Sequence, residues 1–166
     1  YNVFVLEYTV NQLDEAPLKL QPLNDISRTI RMIRSRAEEY HIRPDQVAVC
    51  GFSAGAHLCG SLCVHNKDVK DPEETYQNIS NCPDAAILAY PVISSGEYAH
   101  RDSFVALFGK NPTEKELDYM SLEKHVTEDT PPCFLWQTVT DQTVPVQNSY
   151  LFAQALSLIH ISEPTR

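Results

Sequence analysis

Ser53 lies between two glycines in the run Gly51-Phe52-Ser53-Ala54-Gly55. A serine hydroxyl attacks a carbonyl only when a base removes its proton and an oxyanion site receives the charge that develops, and a G-x-S-x-G turn supplies the geometry for both. The run follows a strand-like stretch, Gln46-Val47-Ala48-Val49-Cys50, and precedes a helix-like one, Ala56 to His65. The serine therefore falls on a sharp strand-to-helix turn, the nucleophile elbow. Crowding on either side of such a turn makes Gly51 and Gly55 the expected residues there. The elbow lifts the Ser53 hydroxyl clear of the sheet and aims the Ala54 N–H at a developing oxyanion. The competing reading is a glycine-rich turn with no chemistry.

An acid that orients a histidine is the second requirement, and open parallel sheets place it at the carboxyl end of a later strand. Asp141 meets that condition, because it follows the strand-like Cys133 to Thr138 and precedes Val144-Pro145-Val146. It would accept the Nδ1–H of the imidazole and stabilise the imidazolium. Capping of the turn 140–143 is a compatible second role. Asp84 and Asp129 precede strands and so lie at the wrong end.

The histidines offer no convincing base. His57 is one helical turn beyond Ser53 and points back along the helix axis, which makes it a packing residue. His41 and His65 end helices, His125 sits in a turn, and His100 is a candidate for shaping a pocket. The catalytic histidine is expected after Ala155. Leu156 to Arg166 reads, residue for residue, like the in-frame translation of a transposon-end sequencing adapter, so residues 156–166 are treated as a non-native tail, with Leu156 ambiguous. His160 is set aside on that ground, although it fits the chain order Ser, Asp, His.

These residues need a frame to hold them. Val3 to Tyr8, Gln46 to Cys50, Ala85 to Pro91 and Cys133 to Thr138 read as strands. Pro22 to Tyr40, capped by Asn24 or Asp25, reads as a helix with Ile26, Ile30, Ile33 and Ala37 on one face. Ala54 to His65 is a second helix, and Gln147 to Ala155 starts a third. Arg28, Arg31, Arg34 and Arg36 interleave with the apolar positions of the first helix and read as a solvated face. Apolar strands alternating with helices imply a parallel sheet covered on both faces. Residues 94–132 are too long for a plain loop and are expected to form a cap over the catalytic face, with short helices at Ser103 to Phe108 and Thr113 to Tyr119. A surface excursion without substrate contact is the alternative.

Composition narrows the function. With 166 residues and 43% apolar content the chain is one domain or part of one. Thirteen basic against 22 acidic residues give a net charge of -9, which argues against nucleic acid and anionic membrane as partners. The five cysteines are an odd number without metal-ligand spacing, and Cys59 with Cys63 would make a poor zinc site. No metal or cofactor is expected. The same cysteine usage points to a reducing, cytoplasmic setting, with a leader left open because the first residue is Tyr1. Nothing in the pattern bears on oligomeric state.

Taken together, Val3-Phe4-Val5-Leu6 to Tyr8, Gly51 to Leu58, Leu88-Ala89-Tyr90-Pro91-Val92-Ile93-Ser94, Thr130 to Thr138, Asp141 and Val144-Pro145 resemble bacterial α/β-hydrolase esterases of the acetylesterase and feruloyl-esterase-like group, tied to xylan side-chain removal. The resemblance spans residues 1–155. It implies an α/β-hydrolase fold, Ser53 as nucleophile, Asp141 as acid, Ala54 as an oxyanion donor, and a small-molecule or carbohydrate ester, foremost an acetyl ester, as substrate. It also implies truncation at both ends. An upstream glycine-rich oxyanion segment and a last strand with the histidine would lie outside residues 1–155, leaving the fragment inactive. Gln137 stands where relatives often carry histidine. Two other readings remain: a serine peptidase of the prolyl-oligopeptidase type, and a non-catalytic fold relative that acts as a binding protein.

Overall fold

The computed structural model describes residues 1–11 and 16–160; most of the suspected tail, residues 161–166, lies outside the described residues. Three short strands, β1 (Ala48–Phe52), β2 (Ala85–Ala89) and β3 (Cys133–Trp136), form a parallel sheet in the order β1-β2-β3. Their register aligns Phe52 with Ala89 and Ala89 with Trp136, so the three strands end in one row. Among the described residues six α-helices accompany them: α1 (Gln21–Ser35), α2 (Ala54–His65), α3 (Glu74–Gln77), α4 (Arg101–Phe108), α5 (Glu114–Tyr119) and α6 (Gln147–His160).

Helix α2 is the centre of the core. Its Ala56, Leu58, Leu62 and Cys63 are buried in one cluster with Val49, Ala86 and Leu88 of the sheet and with Leu23, Ile26, Ile30 and Ile33 of α1. Each large aliphatic side chain buried this way stabilises by about 1.5–3 kcal/mol. Residues alternate in β1, with Val49 and Gly51 buried and Cys50 and Phe52 exposed. Phe134 and Trp136 of β3 are also exposed.

Several expectations need correction. Val3 to Tyr8 is extended but belongs to no strand. A cavity of about 880 Å³ separates it from β1, so its backbone has no ladder partner within reach, and only the side chains of Leu6 and Tyr8 pack on the core. Helix α1 starts earlier than expected, without a side-chain cap, because Pro22 in the first turn needs no acceptor for its nitrogen. Asp25 instead accepts the Thr9 N–H at 2.9 Å and pins the extended segment. The helix ends at Ser35, and His41 at φ 51° turns the chain toward β1.

The arginine stripe is not a solvated face. Arg31 is buried and donates to the carbonyls of Val69, Tyr76 and Gln77 at 3.0, 2.9 and 3.2 Å and to that of Ile79. Arg28 pairs with Asp71 and Glu73, and Arg34 bonds Asp84, Ser80 and Pro44. Only Arg36 keeps the expected exposure. The stretch 69–84, irregular apart from the single turn of α3, gets donors for its open carbonyls from α1.

Candidate active site

Ser53 joins β1 to α2 with φ 53° and ψ -119°, a conformation that L-residues adopt only when their surroundings enforce it. What enforces it is the close passage of strand and helix: a Cβ on Gly51 would lie 2.3 Å from the Gly55 carbonyl oxygen. Gly51 must therefore be glycine. Gly55 need not be, since its Cβ would meet only the Tyr8 hydroxyl at 4.0 Å, and the crowding expected on that side is absent. The Ser53 amide is held by the Ala89 carbonyl at 3.0 Å, which ties the elbow to the end of β2.

Serine at a helix N-cap ordinarily turns its hydroxyl onto the first-turn amides. Ser53 makes no such bond, because its strained backbone directs the side chain elsewhere. The hydroxyl is half-buried and not committed to capping, and the Ala54 N–H, at the first position of α2, has no intrahelical acceptor. A serine hydroxyl and a fixed donor thus stand side by side.

Asp141 follows β3 by five residues. Its Oδ1 accepts the Thr143 and Val144 N–H groups, each at 2.9 Å. These bonds, with a smaller contribution from Gln137, hold its carboxyl below the usual carboxylate range, so it is charged at neutral pH. It caps its own turn, as its sequence position suggested. Ser53 and Gln137 each follow the last residue of an outer strand of the three, two strand spacings apart, or roughly 10 Å. Ser53 and the loop carrying Asp141 leave the same edge of the sheet. Gln137 is structural: it donates to the Val144 carbonyl and accepts from the Ser149 hydroxyl at 2.6 Å.

The histidines divide as expected. His57 is buried, donates Nε2–H to the Met120 carbonyl at 3.1 Å and meets the Phe104 ring edge-on. Burial keeps it neutral by pushing its pKa down. His65 repeats this two turns later, with Nε2 on the Tyr119 carbonyl at 2.7 Å and its ring stacked on Tyr119. Among the described residues none of these rings bonds Ser53 or Asp141. His160 continues α6, and its side chain lies outside the described residues.

Beside Ala54, a cavity of about 280 Å³ opens between α2, the start of α1 and α4. His57 and Leu58 form one wall, Leu23 another, and His100, Leu107 and Met120 come from the stretch between β2 and β3. His100 is thus a pocket residue, its Nδ1 bonded to the Ser103 hydroxyl at 2.9 Å. Leu122 of the same stretch fills the space over Gly60, where a Cβ would lie 2.9 Å from it. Two residues went unnoticed in the sequence. Tyr90 takes φ 38° at the end of β2, its ring between Phe52 and Trp136, and a non-glycine residue in that region leaves no sequence mark. Asn148 is the other, a fully buried amide whose partners Ile93 and Tyr98 lie about fifty residues away in the chain.

The geometry is that of an α/β-hydrolase elbow, and comparison with known proteins assigns the lineage. The family model BD-FAE matches residues 1–156. The chain belongs to the BD-FAE family. It is 56% identical over 155 residues to endo-1,4-beta-xylanase B of Butyrivibrio fibrisolvens, an alignment covering 93% of this chain and 24% of that protein. It is 31% identical over 147 residues to the acetylxylan esterase of Xylanibacter ruminicola, covering 86% of this chain and 28% of that one. The crystal structure of the acetyl ester-xyloside bifunctional hydrolase from Caldicellulosiruptor lactoaceticus superposes with a TM-score of 0.77 at 41% identity, over 83% of this chain and 51% of that one. This BD-FAE chain therefore has the α/β-hydrolase fold. It spans about a quarter of the length of these two curated relatives and about half that of the solved one.

Proposed function

We propose that the protein containing this chain hydrolyses small acyl esters, acetyl foremost, on carbohydrate, through an acyl-enzyme on Ser53. The observation that carries the reading is the strained elbow, which leaves the Ser53 hydroxyl free of capping beside the Ala54 N–H, a first-turn donor with no intrahelical acceptor. A histidine that follows α6 in the full polypeptide takes the Ser53 proton as Oγ attacks the ester carbonyl. Asp141 holds that histidine in the right tautomer and stabilises its charged form. The tetrahedral oxyanion rests on the Ala54 N–H and on a second amide contributed from outside the described residues. Collapse breaks the carbon–oxygen bond to the alcohol, which leaves with the proton from the imidazolium. Water then attacks the acyl-enzyme by the same route, releasing the acid and restoring Ser53. The names of the relatives support ester and carbohydrate as the substrate chemistry.

The test is acetate release from acetylated xylan by the full-length protein, with Ser53→Ala as control. Release that depends on Ser53 supports the reading. Release unaffected by Ser53→Ala sinks it. The 166-residue chain alone, without the histidine and the second amide, is expected to hydrolyse esters no faster than its own Ser53→Ala variant.

A further inference from the structure

Asn148 has 0% exposure and commits its whole side-chain amide to the backbone of two separate loops. Its Oδ1 accepts the Ile93 and Ser94 N–H groups, each at 2.9 Å. Its Nδ2 donates to the Tyr98 carbonyl at 2.8 Å and to the Pro145 carbonyl at 3.0 Å. An amide has two donor hydrogens and two acceptor lone pairs, so Asn148 is saturated, and no other side chain of its size presents both kinds of group in this arrangement.

The loops it joins are the ones that shape the site. Residues 93–98 lead from the end of β2 toward α4, whose His100 to Leu107 region walls the cavity beside Ala54. Pro145 closes the loop that starts at Asp141 and folds over the carboxylate through the Thr143 and Val144 amides. A second strut runs in parallel: the Ser149 hydroxyl, next in the chain, bonds Gln137, which bonds the Val144 carbonyl. The first turn of α6 thus grips the acid loop at Val144 and Pro145 and the start of the cap at Ile93, Ser94 and Tyr98.

We propose that Asn148 is a positioning residue that sets the acid loop against the cap and so fixes where the Asp141 carboxylate stands. The role rests on Asp141 being the acid of the proposed esterase. Asn148 is itself fully buried, so losing its two donors releases the Tyr98 and Pro145 carbonyls from a fixed side chain, and a shift of about 1 Å in a catalytic group is enough to cost roughly a hundredfold in rate.

The experiment uses Asn148→Asp in the full-length protein, since aspartate keeps the acceptor for Ile93 and Ser94 but loses both donors. Amide hydrogen exchange should speed up about tenfold or more at Thr143 and Val144, while Ile93 and Ser94 keep their protection. On p-nitrophenyl acetate, kcat should fall about tenfold or more with KM within about threefold, and the acid limb of the kcat profile should move to lower pH, because a misplaced Asp141 stabilises the imidazolium less. A purely structural residue would move neither the limb nor the 143–144 amides selectively. Wild-type protection at Thr143 and Val144 in a folded Asn148→Asp protein would overturn the proposal, as would an unmoved kcat and acid limb. Ser149→Ala, a milder cut in the parallel strut, should shift the same amides in the same direction if Asn148→Asp does not fold, and unchanged amides there would overturn it too. Ser53→Ala run alongside separates the two ideas: hydrolysis that survives it removes the esterase reading, and exchange then decides the bracket alone.

Discussion

The two glycines around Ser53 look equivalent in the motif and are not equivalent in space. A Cβ at Gly51 would sit 2.3 Å from backbone, which cannot move without opening the elbow, whereas one at Gly55 reaches only the Tyr8 hydroxyl at 4.0 Å. Gly51→Ala should therefore prevent folding or distort the turn. Gly55→Ala should leave the thermal midpoint of the 166-residue chain unchanged or raised, worth up to about 1 kcal/mol, because alanine favours the helix. Equal damage from the two substitutions, read by thermal unfolding, would show that the elbow geometry is misassigned. Asp141→Asn in the full-length protein should lower kcat by about four orders of magnitude, because an amide no longer selects the productive imidazole tautomer. The carboxylate also supports its own loop. Since its pKa is depressed by the Thr143 and Val144 amides, that support is present above the unfolded value of about 3.9 and is lost as pH falls through the folded one. The elbow around Ser53 and the turn that Asp141 caps were legible in sequence because each requires a distinctive local context. Asn148 and Tyr90 were not, because their partners lie across the fold: Asn148 bonds residues about fifty positions away.

Helix α2 joins the elbow to the stretch between β2 and β3 through two buried histidines on the Met120 and Tyr119 carbonyls. Burial lowers the pKa of both; around His65 the acidic Asp68 opposes the shift and His125 adds to it, and around His57 Glu123 opposes it while His65 adds to it. A histidine with a depressed folded pKa stabilises fully above its unfolded value of about 6.5, and that stability is lost as pH falls toward the folded value. The urea midpoint should thus fall between pH 7 and pH 5, and His57→Gln should flatten that slope; a slope unchanged in His57→Gln would contradict the assignment. Helix α1 carries a matching polar device. Arg31→Met takes the donor from four carbonyls, that of Val69 buried and those of Tyr76, Gln77 and Ile79 part-buried, and should cost about 1–3 kcal/mol in urea unfolding. The helical and strand periods were enough to place α1, α2, β1, β2 and β3 within a few residues. They misled at Val3 to Tyr8, where an alternating apolar run says nothing about whether a partner strand is within hydrogen-bond reach. They misled again at the arginines, because residues that look polar-outward by helical spacing were recruited by a segment elsewhere in the chain.

Over the whole molecule, a net charge of -9 and a cavity of modest size frame the substrate question. A pocket of about 280 Å³ with largely aliphatic walls distinguishes chain lengths by only about 1–3 kcal/mol per methylene, so the full-length protein should favour two- to four-carbon acyl esters with a gradual decline beyond them. Higher kcat/KM on a twelve-carbon p-nitrophenyl ester than on the acetate would contradict that preference. Everything proposed for the chemistry rests on Ser53 acting as a nucleophile made reactive by the elbow. The most direct test of that role is to treat the full-length protein with a fluorophosphonate and map the adduct by peptide mass spectrometry. One modification is expected, on the Gly51 to Gly55 peptide at Ser53, lost in Ser53→Ala and strongly slowed in Asp141→Asn. An unlabelled Ser53 in an active, folded protein, or an adduct that persists after Ser53→Ala, would contradict it.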